Sequence, residues 1–206
     1  MYVPPANLLD DDDAIRALVA EVGAAELVTV AADGFPTSTL LPILWDDNTV
    51  IAHMARANPQ WRDIADDAPA LLICAGEQAY ISPTWYAAKA EHGRVVPTWN
   101  YSSVHLTGTA RVHDDPGWLR MATERLTVAH EAGREQPWQV SDAPAPYIAG
   151  QLKGIVGIEV RVRRVEAKAK LSQNRSPADR RGVVTGLRAE GRAGATAVAE
   201  AMATDL

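Results

Sequence analysis

The chain is poor in thiols and rings. Its 206 residues include one cysteine and one phenylalanine, and aromatic residues make up only 6%. A lone thiol, Cys74, excludes an internal disulfide. The absence of a Cys-x-x-Cys pair or a Cys/His cluster excludes a zinc site of the usual spacing. Cys74 sits in the apolar run Ala-Leu-Leu-Ile-Cys-Ala that starts at Ala70, where a buried structural thiol is expected rather than a nucleophile. No uninterrupted apolar stretch reaches the length of a membrane span. The opening Met1-Tyr-Val-Pro-Pro-Ala-Asn lacks both the basic start and the apolar core of a secretory leader. A soluble, cytoplasmic protein is expected. An excess of positive charge is also missing. Lys and Arg number 20 against 26 Asp and Glu, for a net charge of −6. That argues against a large nucleic-acid footprint, although Arg161 to Arg192 is locally rich in basic residues.

What is present suits a folded domain. Hydrophobic residues make up 47% of the chain, enough to bury a full core in one domain, or one domain with a small appendage. The acidic run Asp10 to Asp13 precedes Ile15, Leu18, Val19 and Val22 at helical spacing, with Gly23 as the stop. A capped, solvated helix start accounts for that run better than a metal site. Asp33-Gly34 joins two β-rich runs as a hairpin, and Asp46-Asp47-Asn48 turns into a third strand. Pro36 and Pro42 cannot donate ladder hydrogen bonds and are expected at an edge or bulge. Asn58-Pro59 opens a short helix, with Arg56 just before it in a place where an arginine can meet a phosphate. Strands are expected over Ala70–Ala75, Gln78–Ser82, Trp99–Val112 and Gly154–Leu171. A helix is expected from Pro116 to Ala132, with a stripe of Trp118, Met121, Ala122, Arg125, Leu126 and Ala129. Trp61 and Trp118 are expected in the core. Near the end, Ser176-Pro177 with Asp179 reads as a helix N-terminus. The Ala- and Gly-rich stretch from Gly186 to Leu206 reads as a loosely held helix. About six largely antiparallel strands with helices between and at the ends favour an α+β chain built on a small barrel.

One stretch, Tyr80 to Gly108, concentrates the rings. Tyr80, Trp85, Tyr86, Trp99 and Tyr101 fall inside it, interleaved with Ser82, Thr84, Lys89, Thr98, Asn100 and His105. Rings with directed polar groups suit a flat, polar-edged ligand, although core aromatics beside a loop would read the same way. Tyr86 to Val96 reads as an exposed excursion.

Several motifs carry a family resemblance. They are Met1-Tyr-Val-Pro, Asn58-Pro-Gln-Trp, Tyr80-Ile-Ser-Pro-Thr-Trp-Tyr, Val96-Pro-Thr-Trp-Asn-Tyr with His105, and Lys168-Ala-Lys-Leu-Ser-Gln-Asn-Arg-Ser-Pro-Ala-Asp-Arg. In this order, and over nearly the whole chain, they resemble the PaiB family, described as FMN-binding negative transcriptional regulators. The resemblance implies an FMN-binding split β-barrel of the pyridoxamine-phosphate-oxidase type, spanning residues 1–171, with 172–206 as a C-terminal segment and helix packed on the barrel or on a partner. It implies a homodimer with FMN in a groove at the interface. Carried onto this chain, the cofactor-binding candidates are Ser38 and Thr39 at the ring or ribityl chain and Arg56 and Asn58 at the phosphate turn. Trp85, Trp99 and Tyr101 would flank the flavin, with His105 as a hydrogen-bonding partner. Lys170, Gln173, Asn174 and Arg175 would lend further help to the phosphate or serve as dimer contacts. No acid, base or metal ligand is assigned. The expected function is regulation responsive to flavin or redox state, with DNA contact possible but unsupported by the acidic composition. The alternatives are an FMN-dependent oxidoreductase and, by fold analogy alone, a haem-binding protein.

Overall fold

The computed structural model describes residues 1–204. Its sheet is a closed ring of six strands, hydrogen-bonded in the order β1-β2-β3-β6-β5-β4. The strands are β1 (Ala24–Val30), β2 (Pro36–Asp46), β3 (Thr49–Ala55), β4 (Ala68–Ile81), β5 (Thr98–His113) and β6 (Ile155–Lys170). The helices are α1 (Asp12–Val22), α2 (Ala88–His92), α3 (Pro116–Glu131), α4 (Ala145–Leu152), α5 (Pro177–Glu190) and α6 (Ala193–Ala203). The architecture is therefore the expected α+β barrel. Among the described residues, no helix is long and apolar enough to cross a membrane.

By contact density the chain divides into two compact units. One comprises residues 16–74 and 105–165, the other 1–15, 75–104 and 166–204. Each is described by itself.

In the first unit, β1 pairs with β2 antiparallel from Val30↔Pro36 to Ala24↔Pro42. From Ile43 onward β2 pairs with β3, and β3 pairs with β6 from Thr49↔Arg161 to Ala55↔Ile155. Pro42 thus stands where β2 exchanges one neighbour for the next, a position at which a missing N–H is tolerated. The hairpin at Asp33-Gly34 forms as expected, with Gly34 at φ +86° and the Asp33 carboxylate accepting from Phe35 N. Inward residues Ala25, Leu27, Leu41, Ile43, Val50, Ala52, Val156 and Ile158 are buried. On the outer face Ile51 packs with Ala122 and Leu126 of α3, joined by Leu44 and Trp118. Leu119 is the third buried residue of α3, although the expected stripe omitted it. Trp118 lies flat on Gly157, where a Cβ would come within 2.0 Å of the ring, and it stacks on His113 at 4.1 Å. Trp118 and Trp61 are only half-buried.

In the second unit, α5 and α6 close over Ala79, Ile81 and Tyr86, with Val183, Leu187, Val198 and Met202 at the centre. Ser176 caps α5 by accepting from Asp179 N, worth about 1 kcal/mol. The C-terminal stretch is not the single loose helix expected. Gly186 lies inside α5, and Gly191 in the left-handed region ends that helix so that α6 can start afresh. Four α6 residues, Ala195, Val198, Ala199 and Met202, are buried. Small residues are needed on α5 because Trp85 lies against it. A Cβ at Gly182 would meet the Trp85 carbonyl oxygen at 2.0 Å, and one at Gly186 would meet the indole at 2.4 Å. The two strands expected at Ala70–Ala75 and Gln78–Ser82 are one continuous strand, β4, because Gly76-Glu77 keeps an extended backbone. Tyr86 to Val96 is not wholly exposed: Tyr86 is 2% exposed and the short helix α2 fills the middle, ended by Gly93 at φ +68°.

Candidate functional site

The barrel-side candidates belong to the first unit, and each already has a protein partner. Asn58 caps the short 3₁₀ turn Pro59–Asp63, its side chain accepting from Gln60 N. Gln60, only 3% exposed, follows into the barrel end. Its Nε2 donates to Leu27 O at 2.9 Å and Thr29 Oγ1 at 3.0 Å, while its Oε1 accepts from Thr39 Oγ1. Asn58 Nδ2 donates to the same Thr39 hydroxyl at 2.8 Å. Thr39 and Asn58 therefore belong to a buried polar plug that holds β1, β2 and the turn together. Ser38, on the opposite face of β2, is exposed and donates to Glu26.

Arg56 sits where β3 ends. Its Nε donates to Lys153 O and its Nη2 to Ile155 O, both at 2.9 Å. Its Nη1 donates to Asp114 Oδ2 at 3.0 Å, and Nη2 meets Asp114 Oδ1 to complete a two-pronged pair. The hydrogen bond from Arg56 holds the Asp114 carboxyl below its usual range and raises Arg56 further. Both groups face water, so the pair adds little stability. Its consequence is local: a phosphate arriving at Arg56 must displace Asp114. Trp61 Nε1 donates to Arg56 O and fixes the turn. His105 is half-buried on β5 in the same unit.

The other candidates lie in the second unit. Trp99 is 47% exposed, meets Tyr80 edge-on at 6.3 Å and donates to Gln78 Oε1. Trp85 faces α5 instead of solvent. Tyr101 is half-buried, with the ammonium of Lys168 5.1 Å from its ring. Lys168 itself is 7% exposed and donates to Tyr2 O. Lys170 Nζ donates to Thr98 Oγ1 at 2.6 Å, a neutral partner. Gln173 is spent on its own turn, donating to Ala169 O and accepting from Leu171 N. Arg175 lies 4.7 Å from the centre of the Tyr86 ring. Asn174 is exposed. Asn100 is fully buried, donating to Ser172 Oγ at 3.0 Å, and Ser172 is held at φ +61°. The Tyr80–Gly108 rings therefore divide between two settings. Two serve the α5 and α6 core, and Tyr80, Trp99 and Tyr101 remain available.

Among the described residues the first unit also holds an open cleft of about 1060 Å³ that no sequence motif announced. It lies against the outer face of β2 and β3, bounded by the end of α1, the end of α3 and α4. His53 lines it from β3, on the face shared with Ile51, and its Nδ1 is buried without a hydrogen-bond partner. Burial pushes the His53 pKa below the usual 6.5, so the imidazole is neutral at pH 7.

The residues Gln60, Asp114 and Lys168 were not among the candidates. Gln60 sits inside a quoted motif, but a glutamine after a proline reads as a solvated helix residue. Asp114 has no local signal, since it meets Arg56 only across 58 positions of chain.

The comparisons with known proteins agree with this frame. Residues 1–164 match the family described as "Putative FMN-binding domain". The chain is 33% identical to Protease synthase and sporulation protein PAI 2 of Bacillus subtilis, over 98% of its own length and 96% of that protein. It is 32% identical to the uncharacterized protein AN0679 of Emericella nidulans over 65% of its length, and spans 64% of that longer protein. Among solved structures, the conserved hypothetical protein Rv2991 of Mycobacterium tuberculosis superposes with a TM-score of 0.58 over 86% of this chain and 94% of that one, at 13% identity. The FAD and heme binding protein of Mycobacterium smegmatis gives 0.59 over 80% of this chain and 73% of that one, at 17% identity. These two likenesses support the fold. The family match over most of the chain, together with the full-length kinship to PAI 2, carries more: the chain belongs to the PaiB family of FMN-binding-domain proteins.

Proposed function

We propose that this protein is a cytoplasmic homodimer that holds FMN between copies and represses transcription according to its flavin or redox state. The full-length kinship to PAI 2 carries this reading. The residues present fit the cofactor in part. Trp99 offers an exposed ring, and Lys170 has, among the described residues, only a neutral hydroxyl partner, so its charge can serve a phosphate without displacing an acid. Arg56 fits once Asp114 gives way. Thr39, Asn58, Gln173, Trp85 and Arg175 then act by positioning, through the contacts they make inside their own units. Ser38, Arg56, Trp99, Tyr101, Lys170 and Asn174 are left to touch the flavin, with the first two from one copy and the others from its partner. His105 lies on β5 as a hydrogen-bonding neighbour. The bound flavin would supply redox chemistry, and the protein would supply binding, orientation and shelter from water.

With the net charge of −6, repression is expected to run through a protein partner in place of broad DNA contact. The absorption spectrum of the purified chain with and without added FMN tests the first half of the reading. A flavin spectrum that shifts on binding supports it, and an unchanged spectrum at saturating FMN overturns it. Gel-shift titration at two salt concentrations tests the second half. Tight binding to DNA that weakens steeply with salt would replace the partner route with direct contact.

The cleft favours a second reading, an FMN-dependent oxidoreductase, because it leaves room for a small molecule. Bleaching of the bound flavin by NADH or NADPH, followed by reoxidation with an acceptor, would support it. A flavin that never bleaches would remove it.

A further inference from the structure

The first unit presents an apolar sheet face to water. Side chains alternate along β1 and β2, so Ala25, Leu27, Leu41 and Ile43 fill the barrel and the residues between them point outward. The outward set on β1 is Glu26, Val28 and Val30, and opposite them on β2 stand Leu40, Ser38 and Pro36. On the other side of β1, the start of β4 places Leu71 beside Val28 and Ile73 beside Glu26. Phe35 stands at the tip of the hairpin. Val30 is 59% exposed, Leu40 63% and Phe35 71%. Further round the ring the outer face is sheltered, because α3 packs on Leu44 and Ile51. The face made by β2, β1 and the start of β4 keeps its large apolar residues in solvent.

Three features select what covers it. The first is charge. No lysine or arginine occurs between Ala24 and Asp46, and the one acid on the face, Glu26, accepts from the Ser38 hydroxyl. A two-fold contact sets a surface against itself, so a strongly charged face would meet its like and be repelled. This face escapes that repulsion, and it offers a charged peptide, a nucleic acid or a lipid headgroup nothing to pair with. The second is size. The apolar area exposed by Val28, Val30, Phe35, Pro36, Leu40, Leu71 and Ile73 is on the order of 400 Å², close to the apolar share of the ~800 Å² that one partner contributes to a standard interface. The third is continuity. Ser38, at the middle of the face, is also the residue assigned to the flavin at the junction between copies.

We propose that the outer face of β2, β1 and the start of β4 is where a second copy of this chain docks, with Val30, Phe35 and Leu40 as the apolar centre of the contact. This rests on the reading of the protein as a homodimer with FMN between copies, and it names the face that the reading leaves open. The flavin site is then complete only in the pair, so flavin affinity falls when the protein is diluted below the concentration at which it pairs.

Sedimentation velocity of the full-length chain over a range of micromolar concentrations tests this, with and without FMN. The chain is expected to sediment as a dimer. The double variant Val30→Glu with Leu40→Glu puts two further acids on each copy of the face and is expected to weaken the dimer at least hundredfold. Val128→Glu is the control, since it charges an apolar residue that is 67% exposed on α3, and it should leave the dimer intact. A double variant that pairs as tightly as the parent overturns the proposal and leaves the homodimer reading standing. Equal loss of the dimer in Val128→Glu overturns it as well. A parent chain that stays monomeric throughout overturns both. A dimer that takes up no FMN, or a monomeric double variant that binds FMN as tightly as the parent, strikes the flavin reading alone. Should the double variant lose its native circular dichroism, Leu40→Cys decides. Cys74 has no exposed surface, so the new thiol reports alone, and its reaction with a maleimide should slow at least tenfold as the protein is concentrated. A rate that does not change with concentration overturns the proposal.

Discussion

Replacing Gln60 with leucine separates a structural role for the Asn58-Pro-Gln-Trp motif from a flavin-binding one. The Gln60 side chain is buried, with Nε2 on Leu27 O and Thr29 Oγ1 and Oε1 receiving Thr39 Oγ1. Leucine matches the volume and supplies no donor or acceptor. It leaves a carbonyl and two hydroxyls in a place with little water. Each orphaned group costs about 1–3 kcal/mol, and the hydroxyls recover part of that by turning to other acceptors, so the net loss is about 2–4 kcal/mol. For a chain of this length that corresponds to a fall in Tm of roughly 5–15 °C. Thermal melts followed by circular dichroism give the first measure. Urea titration gives the second, with an unchanged slope required for the loss to be assigned to the native state. Gln60→Glu is the control: at pH 7 it turns a carboxylate oxygen on the Leu27 carbonyl, so it is expected to cost at least as much, with partial recovery in acid as the proton restores a donor. A Tm drop below about 2 °C for Gln60→Leu would show that the plug is not holding β1, β2 and the turn. A loss of FMN affinity at unchanged Tm would return Thr39 and Asn58 to the ligand.

Three further expectations follow from the same geometry. Arg56→Ala should weaken FMN by about tenfold and leave riboflavin unaffected, whereas Asp114→Asn, which removes the competing acid, should tighten FMN, both read by flavin fluorescence quenching. If Arg56→Ala weakens riboflavin equally, the phosphate role fails. Cys74, with no exposed surface and a pKa pushed up to about 12 by burial, should be inert to an aromatic disulfide reagent at pH 8 in the native chain and react at once in denaturant. Burial holds the His53 pKa below 6.5 in the fold, so the unfolded chain takes up that proton first. The contribution of His53 to stability is full above pH 6.5 and falls as the pH drops toward the folded value. His53→Gln should flatten this part of the urea-stability profile, and an identical profile would show that the imidazole is solvated.

Much of the fold was legible because its signals are local. Asp33-Gly34 needs one glycine at positive φ, and Asn58-Pro59 and Ser176-Pro177 each need one side chain over two or three backbone amides. The misread elements depend on distant partners. Gly186 looked like a weak point in a loose helix, yet it is the flat place that α5 must present to Trp85, 101 positions earlier in the chain. Gly76-Glu77 looked like a break between strands, and pairing within the ring carries the backbone straight through it.

The candidate site shows the same divide more sharply. A motif reveals which side chains matter together, but not whether they face a ligand or each other. Thr39 and Asn58 matter because they close the barrel end around Gln60, and the motif would be as specific for that task as for gripping a phosphate. The charge of Arg56 was visible in the sequence, but the acid that offsets it was not. The cleft lay outside every motif because its walls come from the ends of α1 and α3, from α4 and from single residues of β2 and β3, none of which is unusual alone. What marks it is the combination of an apolar floor with a buried imidazole nitrogen that has no hydrogen-bond partner.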